Sequence, residues 1–309
     1  MTRINFHDRT VIVTGAGRGI GRADALLLAE RGAAVVGCDL GGDTDGDNPS
    51  AQPAEEVVAE IQRAGGRAVA STESVATEDG AARIVATALD AFGRLDAVIN
   101  NAGIFAALPF DTIDADTYRR YLDVHYLGSL FLARAAWPHL AASGHGRIVN
   151  TVSSGMYGLG NYVHYGAAKA AVWGLTRCLA VEGEPVGIKV NAVSPAAGTR
   201  MLAQTGDSLP PGTIDFVMKH MPPEQVAAVA AYLAHDSCAL TGEVLKAGGG
   251  AVARSYLRRR KLGTSRSSGS NFFSSACAGA CGLAAAAPTV TGVACCATDR
   301  STTGRDSIV

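Results

Sequence analysis

Up to about residue 250, short apolar runs alternate with longer amphipathic stretches. The runs "TVIVTG" (10–15), "AAVVGCDL" (33–40), "RAVAS" (67–71), "LDAVINN" (95–101), "GRIVNTV" (146–152) and "GIKVNAVS" (187–194) are rich in β-branched residues. They have the length of strands buried on both faces. Between them a helical period predicts helices near 19–31, 54–64, 77–92, 114–142, 162–183 and 222–235. Such alternation implies right-handed βαβ units and a parallel sheet. The expectation is an α/β protein: a doubly wound parallel sheet of about seven strands with helices on both faces. It forms a single domain over 1–255, and "GEVLKAG" (242–248) closes one edge.

Residues 256–309 read differently, as a basic linker followed from Leu262 by a low-complexity tail of Ser, Ala, Gly, Thr and Cys. Chains of that composition bury too little to order themselves. Residues 254–309 carry a net charge of +6, so the body before them carries −7 against −1 overall. An acidic body argues against a nucleic-acid-binding face. Cys38, Cys178 and Cys238 have no metal spacing and read as small buried residues of a reduced cytoplasmic protein. The tail cysteines, Cys277, Cys281, Cys295 and Cys296, have no His at zinc-like spacing, so no metal is expected. The N-terminus runs almost directly into an apolar strand without a leader pattern, and 276–298 has too few large apolar residues and a Pro288. Neither a signal peptide nor a membrane span is expected.

The first strand runs into "VTGAGRGIG" (13–21), which opens the first helix. Gly15 permits the tight turn, Gly19 lets backbone approach a pyrophosphate, and Gly21 lets helix pack on strand. The helix N-terminus offers unpaired N–H groups to phosphate. Asp39, at the end of the second strand, is placed to bind the adenosine ribose 2′-OH and to repel a 2′-phosphate. Two unit charges about 4 Å apart at an effective dielectric near 20 cost roughly 4 kcal/mol, so NAD is favoured over NADP. Arg18 softens that preference. The polar loop 41–53 rims the adenine pocket.

Of eight tyrosines, Tyr165 alone has a lysine, Lys169, four places on. On a helix the pair shares one face. In order, "TGAGRGIG", "NNAG" (100–103), Ser153, Tyr165 and Lys169 resemble the short-chain dehydrogenase/reductase family over about residues 5–250. The resemblance implies a Rossmann-type sheet and a nicotinamide cofactor. Within the family the chain is most similar to the (3R)-hydroxyacyl-CoA dehydrogenase part of multifunctional β-oxidation enzymes, in "DLGGD" (39–43), "VHYLGSLFLARAAWPHL" (124–140), "SPAAGTRM" (194–201) and "AHDSC" (234–238).

The resemblance implies that Tyr165 is the acid/base acting on a secondary alcohol or ketone. A free phenol has a pKa near 10, and lowering it by about 3 units needs roughly 4 kcal/mol. Lys169 and the nicotinamide ring would supply that, with Lys169 also holding the nicotinamide ribose. A serine of the preceding strand steadies the substrate oxygen: counting from the strand start gives Ser153, with Ser154 as the alternative. His125 stands where the family often has Asn. A proton relay and a packed helix histidine are both open there. The cofactor contacts implied are Arg18, Ile20, Leu40, Ser74, Val75, Asn101, Ala102, Gly103, Pro195 and Thr199, together with Gly15, Gly19, Gly21, Asp39, Tyr165 and Lys169.

Residues 200–222 read as a lid, in which Met201, Leu202, Phe216, Met218 and Met221 suggest an apolar substrate or equally ordinary lid packing. Hydroxyacyl-CoA and hydroxysteroid-like substrates fit this reading. Helices 114–142 and 162–183 are expected to pair subunits into a dimer or tetramer. The rival reading is an NAD-binding sensor or scaffold with weak turnover.

Overall fold

The computed structural model describes residues 4–205 and 209–256. The expectations for the tail from 257, its cysteines and its Arg258–Lys261 run fall outside the described residues, as do three positions of the expected lid.

Eight strands form one sheet: β1 (Thr10–Thr14), β2 (Ala34–Cys38), β3 (Arg67–Ser71), β4 (Ala97–Asn100), β5 (Arg147–Thr151), β6 (Lys189–Pro195), β7 (Val244–Gly248) and β8 (Ala251–Ser255). Their order is β3-β2-β1-β4-β5-β6-β7-β8. The first seven are parallel and β8 is antiparallel to β7. The order reverses beside β1, whose two neighbours are β2 and β4. In such sheets ligands bind outside the carboxyl ends of the strands at that reversal.

The helices are α1 (Gly19–Glu30), α2 (Gln52–Arg63), α3 (Glu78–Phe92), α4 (Ala115–Leu122), α5 (Gly128–Ser143), α6 (Val163–Gly183), α7 (Arg200–Ala203), α8 (Thr213–His220) and α9 (Glu224–Ala234). Side chains alternate faces along each strand. Val11, Val35, Ile99 and Val149 pack with α1, α2 and α9, through Leu28, Ile61 and Leu233. Ile12, Val36, Val98 and Ile148 pack with α3 and α5 on the other face, through Ile84, Leu132 and Leu140. Every residue of β1, β2 and β5 is buried, as in a sheet covered by helices on both faces.

The sequence reading is corrected at three places. The sheet has eight strands, and β8, rather than 242–248, forms the edge; β8 is mostly exposed, so it carries no apolar signature. An Arg254–Glu243 ion pair holds it to its neighbour. The expected helix 114–142 is interrupted by a π-helical turn, Asp123–Leu127, between α4 and α5. Cys178 is exposed, whereas Cys38 and Cys238 are buried as expected. Among the described residues no helix is long and apolar enough to cross a membrane.

Candidate active site

The glycine turn is fixed by its neighbours. Gly15 has φ +66°, and a Cβ there would lie 2.8 Å from Asn101 Nδ2. The Asn101 amide donates to Thr14 O (3.0 Å) and Gly15 O (3.3 Å), while Thr14 Oγ1 accepts from the Asn101 and Ala102 N–H groups. The turn is thereby stitched to the end of β4. A Cβ on Gly21 would lie 2.1 Å from Gly15 O, so the helix begins in contact with the turn. The α1 N-terminus has no side-chain cap and no acid in its first turn. Its orphan N–H groups and positive dipole end are left for an anion. Asp39 accepts from Gly17 N–H (2.7 Å) and Gly41 N–H (2.6 Å). These bonds set its carboxylate beside the turn.

Tyr165 and Lys169 rise one helical turn apart on α6. Lys169 is buried, donates to Thr151 O at 2.8 Å, and its Nζ lies 5.7 Å from the centroid of the Tyr165 ring. With no carboxylate partner, burial pulls its pKa down to about 7. Burial pushes the Tyr165 hydroxyl above its ordinary value, while a hydrogen bond with Ser153 pulls it down. The expected lowering by Lys169 is not seen in the protein alone: burial and Tyr162 raise the phenol, and Ser153 is the group that lowers it. Ser153 Oγ also accepts from Gly155 N–H at 3.1 Å, which orients it. Ser154 opens the 3₁₀ turn Ser154–Tyr157 and is exposed. Of the two serines, Ser153 is the one that acts on the Tyr165 hydroxyl.

His125 sits in the π-helical turn, 2% exposed. Its ring meets the Tyr165 ring edge to face at 5.4 Å. Nε2 lies 2.9 Å from Ile104 O and 3.3 Å from Ile104 N, so it donates to the carbonyl in one tautomer and accepts from the amide in the other. Nδ1 is buried without a hydrogen-bond partner among the described residues. Burial first, then the Lys169 charge, holds the imidazole well below its ordinary pKa, so it is neutral. A Cβ on Gly103 would lie 2.5 Å from His125 Cε1, so this glycine makes room for the ring.

One cavity of about 690 Å³ joins these parts. Gly15, Arg18, Gly19, Ile20, Asp39 and Leu40 line one end with Thr199, which faces Gly19, and Ser153, Tyr165 and Lys169 the other; Pro195 lines it too. Ser74, Val75, Asn101, Ala102, Gly103 and His125 line it between. Gly21 is the one expected contact behind the wall. An uncapped helix N-terminus, a carboxylate at the strand end and a buried lysine at the far end suit a dinucleotide.

Several residues of the site were not singled out from the sequence. Thr14 and Gly17 act through the backbone, and nothing in their type marks them. Phe105 and Tyr162 pack on Tyr165, with ring centroids at 5.1 Å and 6.3 Å, and line the cavity. The doublet of tyrosines in "NYVHY" was the only available signal. Asn100 Nδ2 donates to Asn150 Oδ1 and Asn150 Nδ2 to Thr176 Oγ1, both at 2.9 Å, which buries a polar ladder from β4 to α6 beneath the site. Among the described residues no group of three or more His, Cys, Asp or Glu is placed to hold a metal.

Comparisons with known proteins agree with this architecture. A short-chain type dehydrogenase/reductase of Mycobacterium tuberculosis is 47% identical over 248 residues, 80% of this chain and 84% of its own length. The peroxisomal multifunctional enzyme type 2 of Mus musculus is 42% identical over 81% of this chain, which spans only 33% of that longer protein. A 7α-hydroxysteroid dehydrogenase solved with NADH and 7-oxo glycochenodeoxycholic acid superposes with a TM-score of 0.70 or better (0.71) at 27% identity, over 81% of this chain and 98% of its own. The family model for short chain dehydrogenases matches residues 9–208, from the first strand through the glycine turn and the Tyr165 helix into the lid. A match of that extent places the chain in the short-chain dehydrogenase family, whose members are oxidoreductases.

Proposed function

We propose that the protein is an NAD-dependent dehydrogenase that moves a hydride between the nicotinamide and an apolar secondary alcohol or its ketone. The observation that carries this reading is the convergence of Ser153, Tyr165 and Lys169 on the cavity that also holds the glycine turn. The bound nicotinamide supplies hydride chemistry. The chain's own groups do the rest. Ser153 orients the substrate oxygen. Tyr165 takes the alcohol proton, or returns it to the ketone. Lys169, anchored on Thr151 O, keeps positive charge beside the phenol and reaches the ribose. Phe105 and Tyr162 pack around the phenol and exclude water. His125, neutral and bonded to Ile104, positions the wall behind Tyr165 rather than carrying charge.

Asp39 supports NAD over NADP, because its carboxylate is held where a 2′-phosphate would lie. Phe105, Val124, Leu159, Tyr162, Met201 and Met218 make the substrate end apolar. That lining, with the names of the mouse and hydroxysteroid relatives, favours a 3-hydroxyacyl-CoA or hydroxysteroid-like substrate. Assembly as a homodimer or homotetramer through α5 and α6 belongs to the same reading; Val163 and Val181 on α6 are exposed in the single chain. An NAD-binding protein without turnover would keep the glycine turn but have no use for Ser153 and Lys169 gathered on Tyr165. The test is NADH formation from NAD across hydroxysteroids, 3-hydroxyacyl-CoA esters and alicyclic alcohols. Turnover of at least one class, abolished in Tyr165→Phe, supports the reading. NAD binding without turnover of any class contradicts it.

A further inference from the structure

The polar loop after β2 does more than rim the cavity. Its base is closed by Ser50 N–H donating to Leu40 O at 2.9 Å. Its tip is folded on itself, with Asp43 N–H to Asp47 O at 2.7 Å and Asn48 Nδ2 to Asp43 Oδ2 at 2.7 Å. This is a compact loop with adjoining ends. Near the base, Gly42 O accepts from both Arg18 Nη1 (3.1 Å) and Arg200 Nη2 (3.0 Å). The tip crosses to the opposite wall. There Thr44 O accepts from Phe105 N–H at 2.7 Å, and Thr44 itself is buried. Arg120 of α4 donates to Asp45 O and, at 2.7 Å, to Asp47 Oδ1. Gly46 lies so close that a Cβ there would sit 2.9 Å from Ile104 Cγ2 and 3.2 Å from Arg120 Nη2. Gly42, Asp43, Gly46 and Arg120 all line the cavity that holds the glycine turn.

A segment fastened at the adenosine end and again on the far wall bridges the cavity. A dinucleotide beneath it leaves only when one fastening opens. The base is held by Arg18 and Arg200 at partly buried positions, whereas the tip's side-chain fastening lies at the surface: the Arg120 and Asp47 side chains are 42% and 62% exposed. A pair that exposed is weak and is screened by salt, so of the side-chain fastenings it is the one that opens first.

We propose that loop 40–50 is a clasp over the dinucleotide and that Arg120, acting through Asp45 and Asp47, is the positioning residue that keeps it shut. The proposal rests on the dinucleotide reading of the cavity. Arg120 itself takes no part in hydride or proton transfer. It sets how long the cofactor stays.

The experiment is stopped-flow NADH fluorescence, with NADH displaced by excess NAD from the full-length wild type, Arg120→Ala, Arg120→Lys and Asp47→Asn. Release from Arg120→Ala should be faster by roughly tenfold. Asp47→Asn, a surface change that leaves the fold intact, should give a smaller increase, and Arg120→Lys should recover part of the loss. Raising ionic strength should speed release from the wild type and leave Arg120→Ala nearly unaffected, a response that loss of packing alone does not produce. Release rates and salt dependence matching the wild type in both Arg120→Ala and Asp47→Asn would overturn the clasp while leaving the dinucleotide site standing. A wild type that binds no NADH would remove the dinucleotide reading and the clasp with it.

Discussion

Lys169 Nζ stands 5.7 Å from the centroid of the Tyr165 ring and is fixed there by Thr151 O rather than by a carboxylate. Its charge is therefore not neutralised by an acid, and burial makes that charge costly enough to bring its pKa to about 7. Tyr165 is pushed the other way by the same burial. At pH 7 Tyr165 is therefore neutral and Lys169 about half charged, and catalysis depends on what enters the cavity to shift them.

The pH dependence follows. Alcohol oxidation needs the phenolate and ketone reduction needs the phenol, so kcat/KM for oxidation should rise with pH through and above neutrality, and that for reduction should fall. Removing the ammonium in Lys169→Met takes away the group that favours phenolate, which moves the oxidation inflection upward by about one unit or more. Initial-rate profiles in both directions check this; coincident inflections in wild type and variant would contradict it.

Ser153 and Ser154 are adjacent, but only the first acts on the Tyr165 hydroxyl. Ser153→Ala should lose about a hundredfold in kcat, with NADH affinity retained, because it removes a hydrogen bond at the reacting oxygen. Ser154→Ala should stay within a few-fold of the wild type. Parallel steady-state kinetics separate the two.

Asp39 is held by Gly17 and Gly41 N–H groups with Arg18 and Arg200 close to the same loop. Replacing it with serine removes the carboxylate proposed to repel a 2′-phosphate and leaves both guanidiniums. The NAD-to-NADP ratio of kcat/KM should fall by about a hundredfold. A ratio unchanged in Asp39→Ser would show that discrimination lies elsewhere.

Asp24 lies on α1, is 2% exposed, and its Oδ1 has no hydrogen-bond partner among the described residues. Burial pushes its pKa from 3.8 up to about 8. Between those values the folded state keeps a proton that the unfolded chain releases. Its contribution therefore makes the fold lose stability as pH rises from about 4 to 8, and it levels off above that. Asp24→Asn should remove this dependence and stabilise the protein at pH 7.5 by roughly 2–4 kcal/mol. Denaturant unfolding at pH 5 and pH 8 checks it; equal losses in wild type and variant would contradict it.

What could be read from the chain depended on where each residue's partners lie. β1 and its glycine turn were legible because strand, turn and helix N-terminus adjoin in sequence. β8 was not, because "AVARS" faces solvent and is held by its neighbour and by Glu243. The π-helical turn at His125 lies within a stretch whose apolar period is continuous. It shows only against Gly103 and Ile104, about twenty positions upstream. The order and type of the site residues indicated Tyr165 and Lys169 directly. Counting alone left Ser153 and Ser154 open, since a loop can lose a residue without disturbing its strand. Phe105 and Arg120 gave no signal because their significance is contact with segments remote in sequence.

The most direct test of the account is to follow the label from a secondary alcohol deuterated at its carbinol carbon. With NAD, wild-type protein and a substrate found in the screen, the account predicts NADH carrying one deuterium from the alcohol, formed with a primary isotope effect in single turnover, and no labelled NADH from Tyr165→Phe. Labelled NADH produced by Tyr165→Phe at the wild-type rate would contradict it, as would tight NAD binding by the wild type with no transfer from any alcohol offered.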